Sequence, residues 1–285
     1  AEALVNRYQF LIDRYQTFLD FAYFSDNTPP RLDATFPEYS LLITASRLQS
    51  LAWALSNAPE KNIDREIQQL RHWLAQDHSL ISKMIANAML AEKLQLTALL
   101  VQQGKMPTLR LVPLTTAEKS FQAPLQKEFA MMAHFFIDEQ YRDGNEAASW
   151  IEEIQFRAGL KKHISVNRML PLYQHYAQLA EQPVDAIKAD QFHPDPASMS
   201  EAIRNPIGNV LLETASPDFK QYLLRLVHLD ARMALLKQLD KPETDNPVNN
   251  PWTPGKEDTL TRRDKQLCFR HAPDHDRYNS CLPLL

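Results

Sequence analysis

The residue types best suited by spacing to do chemistry cluster at one end of the chain: Cys268, His271, His275 and Cys281. No cysteine precedes Cys268, so the two thiols can pair only with each other within the chain. In an oxidising compartment such a pair forms a disulfide that closes a short loop, worth ~3 kcal/mol on the chain-entropy view. Two other readings stand beside it. The thiols could remain unpaired, or two thiolates and two imidazoles could hold zinc, a chemically suitable set. Pro273 lies between the histidines and the spacing fits no zinc module, so the disulfide is the expected state. No metal and no other cofactor is expected.

Elsewhere the candidates are single histidines. His134, His175 and His193 form the candidate pocket set, each able to act as a base if a carboxylate orients it in an open cleft. His134 stands among Met131, Met132, Phe135 and Phe136, where a hydrogen-bonded core imidazole is the expected state. His163 and His175 would share a face only if one helix held both, and the connector around Ser165 argues against that. Asp138, Glu139, Asp143, Glu152 and Glu153 make an acidic neighbourhood that could bind a cation, although solvated helix ends explain it equally well. Arg262, Arg263 and Lys265 beside Phe269 read first as a charged hairpin surface.

The absences exclude more. Glycine occurs five times in 285 residues, and no two lie close enough to form a phosphate loop, a dinucleotide fingerprint or a nucleophile elbow. Neither the Glu-x-x-His of helical di-iron proteins nor His-Glu-x-x-His occurs. With 31 basic against 35 acidic residues, a net charge of −4 provides no general attraction to phosphate backbones, so nucleic acid is not an expected partner. Hydrophobic residues at 44% and charged residues at 23% describe a chain able to bury a core. Met84–Val101 is apolar but interrupted by Glu92-Lys93, which reads as a buried helix and not a bilayer span. The chain opens Ala1-Glu2-Ala3 without methionine, as a processed mature terminus or a cut in a longer chain would. Membrane association is expected only through a segment upstream of it.

The elements that must position these residues are helical. Apolar residues recur at three- and four-residue steps over Glu2 to Phe24, Pro37 to Ser56, Ile63 to Gln76 and Ser79 to Gln103, the last closed by Gly104. The first of these carries more aromatics than one seam needs, Tyr8, Tyr15, Phe18, Phe21, Tyr23 and Phe24 among them, some of which could meet a partner. Thr115-x-x-Glu118 is a capping box opening a helix to about Gln140, with Pro124 marking either a kink or the true start. A short helix is expected over Glu146 to Ile154, another over Asn167 to Gln182, and a long loop over Pro183 to Ser200. Asn205-Pro206-Ile207-Gly208-Asn209 opens a short helix, and Ser216-Pro217-Asp218 opens one reaching about Leu239. Beyond Asp240 lie six of the nineteen prolines, and Thr259–Arg263 with Gln266–Arg270 could pair as a small hairpin across Asp264-Lys265. The expectation is an all-α, irregular multi-helix bundle over residues 1–240, with a subdivision conceivable near 104–114. A Pro-rich tail, 241–285, would carry Cys268, Cys281 and the hairpin.

Three stretches carry a resemblance: Asn167-Arg168-Met169; Asn205-Pro206-Ile207-Gly208 with Tyr222-Leu223-Leu224-Arg225-x4-Asp230; and Asn250-Pro251-Trp252. In these the chain resembles an uncharacterised family of helical, membrane-anchored cell-envelope proteins of Gram-negative bacteria. The resemblance implies a periplasmic location, tethered to the inner membrane or free, and agrees with the disulfide. The expected function is a non-enzymatic interaction module of the envelope acting through a protein partner. The alternatives are a hydrolase with a histidine–carboxylate site between helices, or a carrier of an apolar small molecule.

Overall fold

The computed structural model describes residues 1–24, 26–31, 33–56, 59–76, 79–137, 159–215, 218–239, 247–271 and 280–285. Its helices are α1 (Glu2–Arg7), α2 (Gln9–Leu19), α3 (Tyr39–Leu55), α4 (Glu60–Gln76), α5 (Leu80–Gln102), α6 (Thr116–Lys119) and α7 (Gln122–Ile137). From residue 159 on come α8 (Lys162–Leu179), α9 (Val184–Ala189), α10 (Met199–Arg204), α11 (Pro206–Ala215) and α12 (Lys220–Leu236). The all-α reading holds, with short strands confined to the tail.

Helix α5 is the axis. Ser79 caps its start by accepting from the Ser82 amide, and Gly104, at φ +69°, closes its end while Lys105 N bonds back to Leu100 O. That paired closure needs a left-handed residue, which glycine takes without strain. Ala86, Leu90, Leu94 and Ala98 are fully buried along α5, which packs on α4, where Ile63, Ile67, Leu70 and Leu74 are fully buried too. Helices α3, α7 and α12 also pack on it. Among the described residues α5 is the one helix long and apolar enough to cross a bilayer, and half of that stretch is buried inside the protein.

The tail is stapled to this axis. β3 (Leu260–Arg263) and β4 (Gln266–Phe269) form the expected hairpin, with Arg263 opposite Gln266 and positive φ at both Asp264 and Lys265. That is the two-residue turn whose twist suits a hairpin. β5 (Leu282–Pro283) adds to β4, while β1 (Val248–Asn249) and β2 (Glu257–Asp258) make a separate pair. Cys268 and Cys281 are joined as a disulfide across β4 and the residue before β5, with Cα atoms 4.5 Å apart.

Several boundaries depart from expectation. The first helix is two, parted at Tyr8, and α2 stops at Leu19. The chain leaves the helix there because Phe24 folds back onto Phe18 and Trp73, ring centroids 5.5 and 4.4 Å away. The capping box at Thr115 and Glu118 forms, but it opens a single turn, and α7 begins separately with Pro124 in its first turn. Val184–Ala189 is a helix inside the expected loop because Val184 and Ile187 are both buried. The expected helix Glu146 to Ile154, the acidic neighbourhood and the Ser216-Pro217 start signal lie outside the described residues.

Helix α8 begins at Lys162, so His163 and His175 do share one helix, contrary to expectation. The cause is a cap from far along the chain. Asn205 Oδ1 accepts from the Lys161 amide at 2.6 Å, so the free donor at the helix start that a glutamate or glutamine three residues in would satisfy is taken by a residue 44 positions on.

Candidate functional site

The corner where α8, α10 and α11 meet is held by buried polar groups. Asn205 and Ser165 are both fully buried, and Asn205 Nδ2 donates to Ser165 Oγ at 3.0 Å. Gly208 sits directly over them: a Cβ there would lie 2.2 Å from Ser165 Oγ and 2.4 Å from the Asn205 amide. Only glycine admits so close an approach of α11 to α8. Arg168 donates to Asn209 Oδ1 and, at 3.0 Å, to the Asp195 carbonyl, tying α8 to α11 and to the loop before α10. Asn209 Nδ2 in turn donates to the Glu201 carbonyl of α10 at 3.3 Å.

Helix α10 is preformed by a capping box of its own, Ser198 with Glu201, yet buries none of its residues. Outward it shows Met199 at 82% exposure and Ile203 at 75%, one turn apart on the same side, and α11 adds Val210 at 58%. An apolar ridge on a rigidly fixed helix is unusual on a surface with no partner.

The second feature is the tail's frame. The Asp258 side chain is buried and accepts from Asn250 Nδ2 at 2.7 Å, from the Thr259 amide at 2.8 Å and from the His271 amide at 3.2 Å. His271 Nδ1 adds a fourth contact at 2.8 Å. Burial pushes this carboxyl up, but the bonds from His271, Asn250 and Thr259 outweigh it and hold it below the usual aspartate range. Trp252 Nε1 donates to Ser280 Oγ at 2.6 Å, and Ser280 Oγ lies 2.7 Å from His228 Nδ1 on α12. Gln102 at the end of α5 donates to Pro283 O and accepts from Leu285 N, clasping the last strand. Between this frame and α12 a cleft of about 1050 Å³ stays open.

His175 Nε2 lies 2.7 Å from Asp190 Oδ1 and Phe192 stacks on its ring at 4.1 Å, so it has the carboxylate partner that a base would need. Phe192 covers one face of that imidazole, and His175 is not among the residues lining the cleft. His134 is exposed on α7, not buried as expected, because that helix buries the face carrying Leu125 and Phe136 and His134 stands on the opposite one. His193 is exposed, with Nδ1 2.6 Å from the Gln191 carbonyl. No described contact joins the three. The zinc alternative loses its donors here, since both sulfurs are bonded to each other and His271 Nδ1 is taken by Asp258. His275 lies outside the described residues.

Sequence reasoning missed the Ser280 and His228 pair, which no spacing rule could join across 52 positions. Its composition suits a hydrolase, but both side chains are buried and Asp258 serves His271 instead of His228. It also missed two buried charge clusters. In one, Glu66 accepts from Tyr15 OH and pairs with Lys93 at 3.2 Å, all three fully or almost fully enclosed. Burial pushes Glu66 up and Lys93 down, each toward its neutral form. In the other, Arg71 grips both oxygens of Glu118 at 2.6 and 3.0 Å while Asp230 accepts from the Leu114 amide at 2.7 Å.

No family model, no curated protein and no solved structure matches the chain.

Proposed function

We propose that the protein is an interaction module that binds a protein partner through the apolar ridge of α10 and α11. The observation that carries this reading is the conjunction at that corner. Met199 and Ile203 are the two most exposed large apolar side chains among the described residues, and they stand on a helix with both a capping box and a polar lock beneath it. Interfaces gain affinity when the anchoring side chains are already ordered, because less conformational entropy is lost on association. A ridge held by Arg168, Asn205, Gly208 and Asn209 meets that condition.

The Cys268–Cys281 disulfide supports an oxidising compartment for this activity, and the bacterial periplasm is the compartment we infer. The test is a surface variant, Met199→Asp with Ile203→Asp, compared with the parent chain expressed in an envelope-bearing bacterial host. Both should melt alike, since neither side chain contributes to the core, and a discrete envelope protein retained by the parent should be lost from the variant. Equal retention by both chains would remove the ridge from the account.

A further inference from the structure

We propose that the cleft between α12 and the C-terminal frame binds a single-chain amphiphile with an anionic head, of the long-chain carboxylate type. The cleft's volume of about 1050 Å³ lies just above the roughly 300–1000 Å³ that small-molecule sites occupy. Its floor is α12, one wall is the β3–β4 hairpin, and β1 and the end of α5 close the rest.

Two properties of the lining select the ligand. Ala234, Leu239, Val248, Leu260 and Leu284 are apolar, all line the cleft, and all are left half-buried against the core. An apolar strip held half-open inside one concavity has area for an acyl chain to cover. The cations are the second property. Lys237 and Lys265 line the same cleft, and neither ammonium has a hydrogen-bond or ion-pair partner among the described residues. The one carboxylate side chain in the described lining, Asp230, is already satisfied by the Leu114 amide and Lys119. The charge available to a ligand from these side chains is therefore positive, which complements an anionic head and opposes a cationic one.

The frame explains why the cleft does not collapse. The disulfide, the bonds around Asp258, the His228–Ser280–Trp252 contacts and the Gln102 clasp fix the tail at several points beside the opening. A tail fastened at these points, one of them His228 on α12 itself, leaves the concavity over Ala234 and Leu239 open.

The experiment titrates the full chain with dodecanoate below its micelle concentration, followed by calorimetry and by amide chemical shifts. Saturable binding at one site is expected, with shifts centred on α12 and the hairpin. Dodecyltrimethylammonium, the same chain with a cationic head, should bind at least about tenfold more weakly, the effect of losing one charge-assisted contact. Lys237→Gln with Lys265→Gln should weaken dodecanoate by about tenfold on the same reasoning. Ala234→Trp, which fills the floor, should abolish binding. If that variant melts early, the lysine pair, with Lys265 exposed and Lys237 half-buried, still decides the matter. Absence of saturation, equal affinity for the two head groups, or equal affinity of parent and lysine variant would each overturn the proposal. So would a peptide with a free C-terminal carboxylate binding more tightly than dodecanoate.

Discussion

Replacing Gly208 by alanine tests the packing logic of the α8–α11 corner with opposite signs from two principles. Gly208 lies within helix α11, where alanine is intrinsically the better helix former, so propensity alone predicts stabilisation by about 1 kcal/mol. The structure predicts the reverse. The new Cβ would meet Ser165 Oγ at 2.2 Å and both amide atoms of Asn205 at 2.4 Å, distances that real Cβ atoms essentially never show. Forcing a methyl into a packed interior costs about 1–3 kcal/mol. Displacing Asn205 also strains its bonds to Ser165 Oγ and the Lys161 amide, each worth about 1 kcal/mol in a buried setting. A net loss of about 3 kcal/mol follows, or a fall of roughly 6–12 °C in melting temperature for a chain of this order of size. Thermal unfolding by circular dichroism or calorimetry measures it. Because Ser165 Oγ is the nearest atom, Ser165→Ala combined with Gly208→Ala should cost less than the sum of the two, with a coupling of about 1 kcal/mol. A melting temperature for Gly208→Ala equal to or above the parent's would refute the close approach and with it the rigidity claimed for the ridge.

Other outcomes follow from the buried groups. Asp26 has its carboxyl lowered to about 2: burial raises it, but hydrogen bonds from Thr28, Tyr39 and Ser79 prevail. Its folded value being depressed, it contributes about 2 kcal/mol that is present above pH ~4 and lost as pH falls toward 2; Asp26→Asn should erase that part of the acid dependence in equilibrium unfolding. Lys93→Met leaves Glu66 buried without its cation and should cost about 3–5 kcal/mol, whereas Lys93→Met with Glu66→Leu should recover most of it in chemical denaturation. Reducing Cys268–Cys281 should raise hydrogen exchange over residues 247–271 while α3, α4 and α5 stay protected, with a loss of ~3 kcal/mol in the tail on the chain-entropy view. Equal protection of the tail in both redox states would show that Asp258, Ser280 and Gln102 hold it unaided.

What could be read from the chain was the local physics. The apolar steps of α3, α4 and α5, the caps at Ser79, Thr115 and Gly104, and the hairpin around Asp264-Lys265 are written in residues at most a few positions apart. Several of the misreadings involve distant partners. Helix α8 starts early because Asn205 caps it, α2 ends early because Trp73 draws Phe24 in, and His134 faces outward because α7 packs by the face of Leu125 and Phe136. The stretches that carried the family resemblance prove to be structural fasteners: Arg168, Asn205 and Gly208 meet at one corner, and Asn250 joins Asp258 in the tail. The ridge itself was invisible in the sequence, since Met199 and Ile203 have the spacing of any buried helical pair and only the fold turns them outward.

The most direct measurement places a photo-reactive residue at Ile203 and, as a control, at exposed Lys256 in the tail, with irradiation in intact cells. One discrete heavier species is expected from position 203 and none from 256. A smear of products equal at both positions, or none at either, would contradict a dedicated interface on α10.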